Sequence, residues 1–183
     1  MWEITKRFDC CYGHRVWNQV LNSEYSLDEG LVCRHLHGHE GAIHVTLQGQ
    51  TLTRGMVTDF KHLGFFKKFV DDVIDHKFIF DIEDPIIQWE VPVLWSGQGL
   101  NFDVLEMKDR RYSILKPEVY KDLPTPLVEK YEGMIFVNFV PTSENLAHWL
   151  YEVVDEKMSK IGVKTKSVLF YETPKSRSEY IGI

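Results

Sequence analysis

Apolar and polar positions alternate in two stretches near the start of the chain. Trp2 and Ile4 are set against Glu3 and Thr5, and Phe8 resumes the apolar side after Lys6. This predicts a first strand over residues 2–10 that leads to His14. Further on, Ile43, Val45 and Leu47 face one way and His44, Thr46 and Gln48 the other, with Gly49 ending a second strand. Gly55-Met56-Val57-Thr58 reads as the end of a hairpin partner. Between the strands, Asn18, Asn22, Ser23, Asp28, Glu29 and Gly30 mark residues 17–31 as loop.

The period then changes from two to that of a helix. Asp59 is a good N-cap, and behind it Leu63, Phe66, Val70, Val73 and Ile74 recur at helical spacing. Phe65 and Phe69 widen the stripe, Lys61, Lys67, Lys68, Asp71 and Asp72 stay mostly outside it, and the helix runs into Asp75-His76. A second helix begins near Thr142-Ser143-Glu144, with Leu146, Trp149, Leu150, Val153, Val154 and Met158 as its buried stripe and Gly162 at its C-cap. Residues 166–172 read as a closing strand that ends in Glu172. Five of the seven prolines fall in residues 84–133 (Pro85, Pro92, Pro117, Pro124, Pro126), where no periodicity holds. Its aromatic content makes this an ordered excursion of short strands and turns. The order strand, strand, helix, helix, strand predicts an α+β fold with two helices on one face of an antiparallel sheet. The expectation is one domain over 1–183 carrying an excursion at about 84–133.

Composition narrows the function. With 44% hydrophobic and 26% charged residues, 183 residues suffice to bury a core of their own. A formal net charge of −6 gives no electrostatic reason to expect nucleic acid or an anionic membrane as partner. The three cysteines, Cys10, Cys11 and Cys33, are odd in number and two are adjacent, which fits a reducing cytoplasm better than a disulfide framework. The first residues are too charged for a signal peptide, and no apolar run reaches membrane-spanning length.

One stretch carries more chemistry than a core or a surface requires. Cys33-Arg34-His35-Leu36-His37-Gly38-His39 packs three imidazoles and a thiol into seven residues. On an extended strand His37 and His39 project from one face and can close on one metal ion, and neutral imidazole is a common zinc ligand. A third ligand is available upstream in His14, and three histidines would leave a tetrahedral zinc one open, catalytic position. His35 shares the face of His37 and His39 and competes for the role. Cys33 with the histidines offers a closed structural site instead, although it lacks a CxxC partner. Spacing alone leaves these alternatives open.

Six pieces occur in a specific order: F-x-x-x-x-G-H (Phe8 to His14), C-x-x-x-H-G-H (Cys33 to His39), G-M-V-x-D-F (Gly55 to Phe60), D-H (Asp75-His76), P-T-S-E-N-L-A (Pro141 to Ala147), and a final E-T (Glu172-Thr173). In these the chain resembles the 6-pyruvoyltetrahydropterin synthase / 6-carboxytetrahydropterin synthase family, over residues 1–83 and about 134–180. The resemblance implies a tunnelling fold whose subunits join through their sheets into barrels, as a homo-oligomer, typically a hexamer of two trimers. It implies zinc held by His14, His37 and His39, and removes His35 from the ligand set. It makes Cys33 the catalytic thiol, Asp75 and His76 the pair that works beside it across a subunit boundary, and Glu172 the acid that anchors the pterin ring. Two departures stand out: Cys10-Cys11-Tyr12 where many members carry small residues, and the long excursion.

The substrate so implied is 7,8-dihydroneopterin triphosphate. Of the family's branches, the short C-x-x-x-H-G-H spacing resembles the one that releases acetaldehyde and triphosphate and leaves 6-carboxy-5,6,7,8-tetrahydropterin, on the route to queuosine and other 7-deazaguanines. The alternatives are the 6-pyruvoyl product, a retro-aldol cleavage of dihydroneopterin (which usually has an acid in place of the cysteine), and a zinc-stabilised pterin-binding oligomer without turnover. Arg15, Lys175 and Arg177 are candidates for the triphosphate, with an ordinary surface role as the simpler reading.

Overall fold

The computed structural model describes residues 1–26, 30–109 and 111–183; Asp28 and Glu29, read above as loop, lie outside the described residues. Along the chain the strands are β1 (Trp2–His14), β2 (His37–Gly49), β3 (Lys77–Asp81), β4 (Leu105–Lys108), β5 (Tyr112–Leu115), β6 (Met134–Val137), β7 (Lys164–Thr173) and β8 (Ser176–Ile181). The α-helices are α1 (Gly64–Phe69), α2 (Ile87–Glu90), α3 (Pro117–Tyr120), α4 (Thr125–Glu132) and α5 (Ser143–Met158). Among the described residues no helix is long and apolar enough to cross a membrane. The chain divides into two compact units, one of Met1–Tyr12, His39–Asp75 and Thr142–Ile183, the other of Gly13–Gly38 and His76–Pro141.

The first unit contains, in chain order, two strands, two helical stretches and two further strands. Its strands run in the order β1, β2, β7, β8. Pairing of β2 with β7 is antiparallel, with Ile43 opposite Phe170 and Val45 opposite Val168. All four of those side chains are fully buried, so the period-two alternation points at the core. The helices cover that face. Asp59 caps the first helical stretch by accepting the Lys61 N–H at 2.8 Å. A 3₁₀ segment (Phe60–Leu63), α1 and a π-helical turn (Val70–Ile74) follow without a break. Thr142 caps α5, whose buried residues are the expected stripe plus Ala147. Each large apolar side chain in these stripes contributes roughly 1.5–3 kcal/mol on burial. Gly162 stops the helix in the left-handed region, at φ 73°.

The second unit holds the excursion, whose described residues include β4, β5 and the short helices α2, α3 and α4. Its strands run β4, β5, β6, β3. Phe80, Ile87, Leu94, Leu115, Tyr120, Tyr131 and Phe136 form a core of its own.

One expectation fails locally. Residues 55–58 form no strand: Thr53 and Met56 make an isolated bridge across a two-residue turn, with Arg54 at φ 52° and Gly55 at φ 80°. Val57 and Thr58 lead directly into the Asp59 cap, which leaves no length for a strand. The sheet is mostly rather than wholly antiparallel, since β3 and β6 pair in parallel. Met134 to Val137 are buried at every position, the continuous apolar run of a strand covered on both faces.

Candidate metal centre

His14 ends β1, wholly buried, and its Nδ1 lies 2.5 Å from the carbonyl oxygen of Pro141. His37 begins β2, with its Nδ1 2.8 Å from the carbonyl oxygen of His35. A carbonyl only accepts, so both rings carry their proton on Nδ1 and present Nε2 as the basic nitrogen. That tautomer, fixed by a main-chain oxygen, is the one metal-ligating histidines usually adopt. The two rings stand 4.6 Å apart between centroids. His39 rests on the Tyr12 ring at 5.7 Å and has Glu172 Oε1 3.5 Å from its Nε2. One ligand atom from each of His14, His37 and His39 falls within 4.8 Å of the other two. This donor set fits a divalent ion that favours imidazole, zinc among them.

The other residues singled out by sequence are not part of this cluster. His35 is exposed and serves through its carbonyl. Cys33 is half-buried on a 3₁₀ turn (Val32–Arg34), its main chain held at both ends: the N–H donates to Gln19 Oε1 at 3.1 Å, and the carbonyl accepts from the Val16 N–H at 2.7 Å. Asp75 sits at the end of the first helical stretch, where its Oδ1 accepts the Cys11 N–H at 2.7 Å. His76 is exposed and has a left-handed backbone, φ 56°. Glu172 lies near the end of β7, half-buried beside His39. Of the triphosphate candidates, Arg15 is paired with the buried Asp84 at 3.0 Å. Arg177 donates to the Tyr171 hydroxyl at 2.7 Å. Lys175 is exposed in the β7–β8 turn.

Tyr12 was missed as a site residue. It shares with His14 the even-numbered face of β1, a parity legible in the sequence, and walls one side of His39. Burial, reinforced by the charge of Glu172, pushes its hydroxyl well above the usual range, so it stays a neutral packing group. The Cys10-Cys11-Tyr12 departure is accommodated because Gly41 faces Cys10 and Tyr12: a Cβ there would sit 3.1 Å from the Tyr12 ring and 3.3 Å from Cys10 Sγ.

The sequence model described as 6-pyruvoyl tetrahydropterin synthase matches residues 3–182. Over 98% of the chain and 97% of the relative, the sequence is 32% identical to a 6-carboxy-5,6,7,8-tetrahydropterin synthase of Aquifex aeolicus. An uncharacterized protein of Wolinella succinogenes, 46% identical, superposes with a TM-score of 0.93 over 100% of this chain and 98% of that one. The 6-pyruvoyl tetrahydropterin synthase of Caenorhabditis elegans shares the fold at 20% identity and TM-score 0.55, covering 100% and 96% of the two chains. Fold and site together define a tunnelling-fold protein. The chain belongs to the 6-pyruvoyl tetrahydropterin synthase family.

Proposed function

We propose that the protein is a zinc-dependent 6-carboxy-5,6,7,8-tetrahydropterin synthase. It converts 7,8-dihydroneopterin triphosphate and one water to 6-carboxytetrahydropterin, acetaldehyde and triphosphate in the cytoplasm, for the synthesis of 7-deazaguanines such as queuosine; the water supplies the second oxygen of the carboxyl group and the hydrogens that complete acetaldehyde. The observation that carries the reading is the trio His14, His37 and His39, two of whose rings are oriented by main-chain carbonyls. The carboxy-forming branch is favoured over the pyruvoyl one by the short Cys33-to-His37 spacing and by the Aquifex relative.

Bound zinc would supply Lewis-acid polarisation of the pterin side-chain hydroxyls. The chain's own residues do the rest. Glu172 accepts hydrogen bonds from the amino and ring N–H groups of the pterin and fixes its orientation. Cys33 moves a proton at the side-chain carbon. His76, steadied by the neighbouring Asp75, exchanges protons with the ring or side chain. The redox change is internal, from dihydropterin to tetrahydropterin, so no nicotinamide is required.

The deciding experiment is product analysis with zinc-loaded protein and 7,8-dihydroneopterin triphosphate. Acetaldehyde with 6-carboxytetrahydropterin is expected; a 6-pyruvoyl product without acetaldehyde would move the protein to the other branch, and bound but unconverted pterin would make it a binder. Alanine in place of His14, His37 or His39 should each empty the site, while His35→Ala keeps its zinc. Cys33→Ala should keep zinc and pterin binding while turnover falls by about 10²–10⁴-fold. Loss of zinc from Cys33→Ala would instead make the thiol a ligand.

A further inference from the structure

The segment that follows His14 is anchored at two points to buried acids. Arg15 Nε lies 3.0 Å from Asp84 Oδ2, with the two side chains 18% and 1% exposed. Trp17 Nε1 donates to Asp81 Oδ2 at 2.8 Å. Between these anchors the Val16 N–H donates to the Cys33 carbonyl at 2.7 Å. On its other side the Cys33 N–H reaches Gln19 Oε1 at 3.1 Å, and the Gln19 N–H returns to the Val16 carbonyl at 3.1 Å. Residues 15–19 therefore grip the main chain of Cys33 from both sides.

The acids are themselves fixed. Asp81 ends β3 and accepts the Glu83 N–H at 3.0 Å, and Asp84 accepts the Ile86 N–H at 2.9 Å. The Ile82 N–H donates to the Val137 carbonyl at 2.8 Å, which ties this turn to β6. The Cys33 turn itself has two local main-chain bonds, Arg34 N–H to Leu31 O and His35 N–H to Val32 O, each 3.0 Å, and its Arg34 guanidinium donates to the Gln19 carbonyl at 3.0 and 2.6 Å, so its further anchoring also runs to the 15–19 segment. Burying a carboxylate with a guanidinium is a weak source of net stability, because desolvation offsets the attraction. What the pair supplies is a fixed direction.

We propose that Arg15, Trp17, Asp81 and Asp84 form a strut that positions Cys33 through the Val16 amide. In this role the four act on Cys33 as positioning residues. The proposal rests on the reading of Cys33 as the proton-transfer group, and it extends that reading to a set of residues outside the metal cluster. A proton-transfer group misplaced by about 1 Å loses on the order of 10²-fold in rate, so a strut of this kind acts on turnover more than on binding.

The test uses zinc-loaded full-length protein and the variants Trp17→Phe, Asp84→Asn and Arg15→Lys. Lys130→Met serves as control, since it breaks the separate Lys130–Glu90 pair (2.8 Å) of the same unit. Amide hydrogen exchange at Val16 is read first, independently of activity. In the parent this loop amide should exchange slowly, and in Trp17→Phe and Asp84→Asn faster by about tenfold or more. In both variants kcat should fall by roughly 10–100-fold with KM within about threefold, and Arg15→Lys should retain most of the rate. Fast Val16 exchange in the parent, or unchanged exchange in both variants, would overturn the strut. Faster exchange with an undiminished kcat would overturn its positioning role. A Cys33→Ala protein that turns over at the parent rate would overturn the Cys33 assignment instead, leaving the exchange result to decide the strut.

Discussion

Two adjacent cysteines on β1 meet opposite surroundings. Cys10 points into the core, 3% exposed, while Cys11 faces out. Burial above all, then the negative charges of Asp75, Cys11 and Asp9, push the Cys10 thiol from 9.0 to about 12. The sign of the consequence follows from proton counting. Between those two values the unfolded chain releases this proton and the folded chain keeps it, so the contribution is intact below 9.0 and is lost as pH rises towards 12. One such group adds at most about 1.4 kcal/mol of lost stability per pH unit. Urea unfolding of the parent and of Cys10→Ala at pH 7, 9, 10 and 11 checks this. The variant starts lower, because it leaves a small cavity, and then declines less steeply above pH 9; equal slopes would show that Cys10 does not titrate as described. Near pH 8 a thiol reagent should label Cys11 well before Cys10.

At the scale of elements, the meeting of β1 with β3 turns on one missing side chain. A Cβ on Gly13 would lie 2.5 Å from Cδ2 of Phe78, and Phe78 is itself stacked on Phe80 at 4.7 Å between centroids. The glycine before His14 is thus required by close approach of a ring. Gly13→Ala should cost about 1–3 kcal/mol through overpacking, and Phe78→Leu in that background should return part of it. Denaturation midpoints of the two proteins decide the matter, and an unchanged midpoint for Gly13→Ala would mean that the ring has room to move. The same elements show what a sequence can disclose. β2 and the two helical stretches were legible because each has one wet and one dry face, which writes a period into the residues. β3 and β6 have no such period: Phe78-Ile79-Phe80 and Met134 to Val137 are short apolar runs, and their parallel pairing joins segments more than fifty residues apart. β8 was missed because Ser176 to Ile181 is an exposed edge with few apolar positions. Within the site, the His37–His39 parity could be read directly. The Pro141 carbonyl that orients His14, and the acids that hold Arg15 and Trp17, could not, because those partners lie 60 to 130 residues away and nothing local marks them.

For the whole molecule the question is whether one chain makes a complete site. The proposed proton-transfer set comes from separate stretches, Cys33 on one side of β2 and Asp75-His76 after the first helical stretch. His76 is exposed and held at φ 56°, a costly backbone for a side chain with a Cβ, of order 1 kcal/mol or more. Strain of this kind is retained where surroundings dictate a direction, and an exposed, directed imidazole is suited to act on a neighbouring subunit's substrate. β8 offers the means of assembly: it is the last strand in the order β1, β2, β7, β8, so among the described residues one side of it has no strand beside it, and Ile181 is 60% exposed. The prediction is therefore a homo-oligomer with shared sites. Mixing separates this from a self-sufficient subunit. Cys33→Ala and His76→Ala chains, each inactive alone, are unfolded together, refolded with zinc and isolated as mixed oligomers by two different tags. If each site takes Cys33 from one chain and His76 from its neighbour, interfaces between unlike chains can carry both intact residues, and activity returns to roughly a quarter of the parent value for random assembly, since each of the two residues is intact at about half of the sites. If both residues come from one chain, every site lacks one of them, and mixed oligomers stay as inactive as either parent variant.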